Sequence, residues 1–298
     1  MTALAPTLEA FFTDRLIAQR QVSSHTIGAY RDTFRLLLGF VHDRTGTPPS
    51  ALDIADLDAP IIGAFLEHLE RDRRNSARTR NARLAAVHSL FRYAALRHPE
   101  HSALIQQVIA IPLKRFDHSV VHFLSPSEVD ALLAAPDPNR WIGRRDHALL
   151  LVALQTGLRV SEITALTRQD THLGPGAHVR CVGKGRKQRC TPLTTMTVAV
   201  LRNWLQERAG APSDPLFPTS TGRKLSSDAV TLLVTRHTKT AEHRCPTLKA
   251  KTVSPHVLRH TAAMRLLHAG VDTSTIALWL GHERAETTQM YIHVSVVT

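Results

Sequence analysis

Arg159, Lys184, His256, Arg259, His282 and Tyr291 follow one another in that order through the C-terminal half of this chain of 298 residues. Together they describe a phosphate clamp with a nucleophile. Two guanidinium forks can hold both non-bridging oxygens of a phosphodiester, lysine and the histidines can move or share protons, and a tyrosine hydroxyl can attack phosphorus. Such chemistry needs no metal-ligand set. A free tyrosine has a pKa near 10, so ionising it at pH 7 costs about three pKa units, roughly 4 kcal/mol, which neighbouring cations must offset. Those cations stand where many phosphoryl-transfer enzymes hold a divalent metal, which predicts activity in chelator and no cofactor.

Each signal is weak alone. Arg159 follows Gly157, which is placed to end a helix, and a lone arginine there is more often exposed and idle. Lys184 lies between Gly183 and Gly185 at the tip of an expected hairpin, where most lysines are simply solvated. His256 and Arg259 are three apart at the start of a helix opened by Ser254 and Pro255, so they project toward one ligand while the helix N-terminus favours an anion. Tyrosines on terminal helices, like Tyr291, are more often core residues. Their conjunction in a fixed order carries the reading.

The elements that position them read as follows. Ser125, Pro126 and Glu128 form a capping box with proline at the first helical position, opening a new unit. Helices are expected over 144–156, 161–166, 194–208, 226–239, 255–269, 273–280 and 285–293, with Gly270 and Gly281 at helix ends. Residues 178–182 and 187–193 alternate as two short strands joined by the turn at 183–186.

Residues 1–98 read as an all-helical unit. Thr7, Ser24, Asp58 with Pro60, and Asn75 or Ser76 are placed to cap four helices. From Arg71 to Arg97 there are eight arginines and one acid, while Leu84, Val87, Leu90 and Phe91 supply an apolar stripe. The arginines are expected on the outward surface. Residues 99–121, with Pro99, Pro112, Lys114 and Arg115, read as a linker, and 122–298 as the second domain.

Composition favours a polyanionic partner. There are 37 Lys+Arg against 25 Asp+Glu, a net charge of +12, and counterion release rewards such a balance on nucleic acid. Aromatic content of 5% argues against a single-strand stacking platform. Cys181, Cys190 and Cys245 are too few and too irregular for a disulfide framework or a cysteine-rich zinc site, which fits a reducing cytoplasm. The apolar run 148–154 is a fraction of a membrane span, and no signal peptide is expected.

Residues 157–162, 183–187, 254–260 and 281–291 resemble the catalytic boxes of the tyrosine recombinase (phage integrase) family, in its Xer-like bacterial branch. Residues 7–98 resemble that family's core-binding domain only in being helical and basic. The resemblance implies a mainly α, two-domain C-shaped clamp. Its parts would be a SAM-like helical domain and a mixed α/β, mostly helical catalytic domain with a small antiparallel sheet. It implies that Tyr291 forms a 3′-phosphotyrosyl bond and releases a 5′-hydroxyl. Arg159 and Arg259 would brace the phosphate, Lys184 protonate the leaving oxygen, His256 assist proton removal from Tyr291, and His282 hydrogen-bond the phosphate. Glu162 would orient the Arg159 region. Arg71, Arg73, Arg74, Arg78, Arg80, Arg83, Arg186 and Lys187 are the expected contacts to duplex DNA. Self-association would be a synaptic tetramer on specific sites, without ATP. Seven residues follow Tyr291, fewer than the family's usual segment that docks on a neighbouring subunit. Cleavage is therefore a firmer expectation than cooperative assembly.

Three other readings stay open. A nicking-closing enzyme of type IB topoisomerase character would share every catalytic residue. A metal-dependent hydrolase could use His256, His260 and His282, although Val257 stands where the common zinc motif has glutamate. A DNA-binding protein without catalysis would need only the basic helices.

Overall fold

The computed structural model describes residues 2–116, 122–183, 188–207 and 210–281. Two compact units result, Met1–His118 and Ser119–Thr298.

In the first unit, α1 (Leu4–Ala10) continues in wider π-helical turns over Phe11–Gln19. Thr7, expected as a cap, instead lies inside α1, buried, with its hydroxyl 3.0 Å from the His98 ring. Helix α2 (Ser24–Thr45) is capped by Ser23 rather than Ser24, because Ser23 keeps the extended backbone that lets its hydroxyl accept from the Thr26 N–H at 3.3 Å. Asp58 caps α3 (Ala59–Arg71) and Ser76 caps α4 (Ala77–Ala94), as the sequence indicates. Leu84, Val87, Leu90 and Phe91 of α4 are buried against Phe11, Leu37 and Phe65. Each such side chain stabilises the unit by about 1.5–3 kcal/mol.

The expected linker is in part core. Helix α5 (Ser102–Ile109) buries Ile105 and Val108 completely, and its Val108 carbonyl is hydrogen-bonded to the His88 ring at 3.1 Å. Pro99 and Pro112 bracket this helix rather than abolish it, since one stands at its entrance and the other beyond its end.

The second unit opens with α6 (Pro126–Leu133), where Ser125 and Glu128 close the expected capping box. Helix α7 (Trp141–Thr156) carries the run Ala148–Leu154, buried on every face because α9 (Thr195–Glu207) and α11 (Pro255–His268) cover it. Among the described residues no helix is long and apolar enough to cross a membrane. After α8 (Val160–Ala165), strands β1 (Thr171–His172), β2 (His178–Val182) and β3 (Gln188–Pro192) form an antiparallel sheet in chain order. The two-residue β1 is too short to leave a periodic signal. Helices α10 (Ser227–Ala241) and α12 (Thr273–Leu280) complete the described part, and the helix expected over 285–293 lies outside it.

A buried ionic knot ties α7 to α10. Asp146 is fully buried and accepts from Arg145 at 2.6 Å, Arg236 at 2.6 Å and the His237 ring at 2.8 Å. Arg145 also donates to the Pro218 carbonyl at 2.9 Å, so the knot reaches the loop before α10.

Candidate active site

Arg159 sits at the junction where α7 ends and α8 begins. Gly157 ends α7 in the left-handed conformation (φ +62), which an L side chain rarely adopts. A Cβ there would also lie 2.5 Å from a Leu280 methyl and 3.2 Å from the Ala262 methyl. This glycine therefore sets both the chain reversal and the close approach of α7 to α11 and α12. Glu162, in the first turn of α8, accepts from the Arg159 backbone N–H at 2.7 Å and from its guanidinium at 3.1 Å.

Helix α11 supplies Arg259 and the histidines. Its cap, Ser254, accepts from the Val257 N–H, and Val257, Leu258 and Ala262 are buried, which fixes the helix face. Arg259 is almost wholly buried. It donates to the Gly157 carbonyl at 2.6 Å and to the Leu280 carbonyl at 2.8 Å. Arg159 donates to the next carbonyl, that of Gly281, at 3.1 Å. The two guanidinium groups therefore lie side by side at the C-terminus of α12, whose dipole end favours cations.

His256, exposed at the start of α11, rests edge-to-face on buried His260, with ring centroids 4.3 Å apart. Burial, and then the His256 and Arg259 charges, push the His260 imidazole down to about 4. His260 is thus a neutral platform at pH 7. Among the described residues no three His, Cys, Asp or Glu side chains gather as a metal site.

Arg189 was not singled out by sequence reasoning, yet it belongs to this cluster. It is on β3, paired across from Cys181, and its two terminal nitrogens donate to both Glu162 oxygens at 2.9 and 2.7 Å. The alternation of β3, exposed at 188 and 190 and more buried at 189 and 191, is the signal that could have pointed it inward. Burial pushes the Glu162 carboxyl up, but hydrogen bonds from Arg189 and the Arg159 backbone outweigh it and hold the group below the usual carboxylate range.

The expected DNA contacts of the first unit divide. Arg71, Arg73, Arg74 and Arg78 are exposed around the α3–α4 turn. Arg80 is not outward-facing as expected: half-buried, it lies 3.9 Å from Glu70 and donates to the Pro112 carbonyl at 3.1 Å. Its role there is to fasten the chain after α5. Arg83 is also half-buried, in a groove between α2 and α4, and its desolvation lowers the guanidinium pKa. Lys184, Arg186, Lys187, His282 and Tyr291 lie outside the described residues.

Residues 122–297 match the phage integrase family, and residues 10–98 match the N-terminal SAM-like domain of phage integrases. A Sinorhizobium fredii protein with the provisional name integrase/recombinase y4rC is 56% identical over 99% of this chain and 89% of its own length. The tyrosine recombinase XerC of Pelobacter propionicus is 34% identical, over 96% of this chain and 90% of its own length. The fold is similar to that of the Tn1549 transposon integrase in complex with transposon right end DNA. There the TM-score is 0.74 at 16% identity, covering 98% of this chain and 94% of that one.

Proposed function

The chain belongs to the phage integrase family, whose relatives named above are recombinases, and from that premise we propose that it cuts and rejoins duplex DNA at specific sites through a tyrosyl intermediate. The single observation that carries this reading is the meeting of Arg159 and Arg259 on consecutive carbonyls, Leu280 and Gly281, directly ahead of His282 in the chain.

In the proposed reaction the Tyr291 oxygen attacks phosphorus and the bond from phosphorus to the 5′ oxygen breaks. His256 assists removal of the phenolic proton, and Lys184 protonates the departing 5′ oxygen. Arg159 and Arg259, helped by His282, balance the charge gathering on the non-bridging oxygens. Loss of one well-placed donor at such a site typically costs a factor of about 10²–10³. Arg159 has five N–H donors, and its side-chain bonds to Glu162 and Gly281 use two of them. A second DNA end can attack the 3′-phosphotyrosyl bond in turn, restoring the phosphodiester without ATP. Arg71, Arg73, Arg74 and Arg78, with Arg83, Arg186 and Lys187, are the proposed contacts to the DNA backbone, which fix register rather than sequence. Self-association on DNA into a synaptic tetramer completes the proposal.

The test uses duplexes tiled across the DNA flanking the encoding gene, each nicked so that the cleaved end diffuses away. Wild type should give a covalent protein-DNA band in EDTA, and Tyr291→Phe should give none. Equal behaviour of the two proteins would end the reading. A plasmid bearing two copies of the cleaved site should then give exchanged products. Topoisomers alone would move the assignment to a nicking-closing enzyme.

A further inference from the structure

Glu162 is a buried carboxylate shared by two arginines, of which only Arg159 belongs to the proposed clamp. The sharing is unequal. Arg189 meets both carboxylate oxygens with a parallel fork at 2.9 and 2.7 Å, whereas the Arg159 side chain makes one longer bond of 3.1 Å. Bidentate pairing of this kind is the stronger arrangement. The Arg189 side chain is only 14% exposed and that of Arg159 36%. Arg189 also lies against the Gly281 backbone: a Cβ on Gly281 would be 2.8 Å from one terminal nitrogen of Arg189 and 3.1 Å from its central carbon. Both residues that hold Arg159, Glu162 through its carboxylate and Gly281 through its backbone, therefore have the Arg189 guanidinium as a close neighbour.

We propose that Arg189 is a positioning residue for DNA cleavage: by saturating Glu162 it lets that carboxylate orient Arg159 without neutralising it. This rests on the cleavage reading given above. Two guanidinium groups and one carboxylate leave one net positive charge, and it falls on the more accessible arginine, Arg159. Without Arg189 the carboxylate turns its full charge on Arg159 and competes with the phosphate for its donors. Arg189 itself does not reach the DNA, because its side chain is largely covered.

The experiment measures single-turnover formation of the covalent adduct, at saturating protein, on the duplex that wild type cleaves, synthesised with a bridging phosphorothiolate at the scissile position. Affinity for the same duplex is measured by gel shift, and melting temperature in parallel. Arg189→Gln should slow adduct formation by about 10- to 100-fold, the range that outer-shell partners of metal ligands show, while affinity changes by less than about twofold. Adding Glu162→Gln to that variant should restore at least about fivefold, because the unmatched carboxylate is gone. A structural role alone makes the double variant no faster than R189Q, and that outcome overturns the proposal, as does R189Q at the wild-type rate. If R189Q melts below the assay temperature, Arg189→Lys carries the test: it keeps the charge without the fork and should be several-fold slower at unchanged affinity. Wild-type speed in R189K then overturns the inference. Absence of any wild-type adduct would instead sink the cleavage reading beneath it.

Discussion

The guanidinium of Arg259 donates to the carbonyl of Gly157 at 2.6 Å, joining α11 to the last turn of α7 beneath the proposed phosphate clamp. The bond exists because Gly157 turns left-handed and admits Leu280 and Ala262 to within contact. Gly157→Ala adds about 1–2 kcal/mol of backbone strain and a methyl that collides with Leu280. We expect destabilisation of the catalytic unit by more than about 2 kcal/mol in urea, and loss of adduct formation exceeding what unfolding explains. Wild-type stability and rate in the Gly157→Ala variant would show that this junction does not set the clamp.

The ionic knot at Asp146 gives a second expectation. Removing a buried charge that holds three partners leaves cations uncompensated, a change that typically costs about 3–5 kcal/mol. Asp146→Ala should therefore unfold the catalytic unit at markedly lower denaturant while leaving the transition of the first unit unmoved. Urea melts make the comparison: tryptophan fluorescence follows the second unit alone, since Trp141, Trp204 and Trp279 all lie there, and far-UV circular dichroism follows both units.

His260 sets a pH dependence whose sign follows from its folded-state imidazole near 4, against an unfolded value near about 6.5. Between those values the unfolded chain binds the extra proton. Stability is therefore full above about pH 6.5 and is lost as pH falls toward 4, by on the order of 3 kcal/mol. Thermal melts from pH 7 to 4 should fall more steeply for wild type than for His260→Asn. Parallel slopes would mean that His260 is not held neutral by the fold.

Elements with their own chemical punctuation were legible in the chain. Ser125 with Glu128 marks α6, and Gly281 ends α12 in the left-handed conformation the sequence suggests. Strand β2 spans the expected residues because its alternation matches one buried face. What was missed depends on partners far away in sequence. Arg80 looks like its exposed neighbours until Glu70 and the Pro112 carbonyl take its charge inward. Helix α5 hides between two prolines, and only burial of Ile105 and Val108 against the first unit makes it core. Arg189 reads as one more cation in the basic stretch after Gly183, and its meaning comes from Glu162, 27 positions earlier. The order of the proposed reactive residues is a property of the chain alone, whereas the carboxylate shared by Arg159 and Arg189 is a property of packing.

The most direct measurement is the chemical identity of the protein-DNA link. Wild-type protein is trapped on the nicked duplex, digested with nuclease and protease, and the modified peptide sequenced by mass spectrometry. The expected product is a nucleotide joined through its 3′-phosphate to the Tyr291 side chain, with no modified peptide from Tyr291→Phe. A link at any other residue, or through a 5′-phosphate, would contradict it.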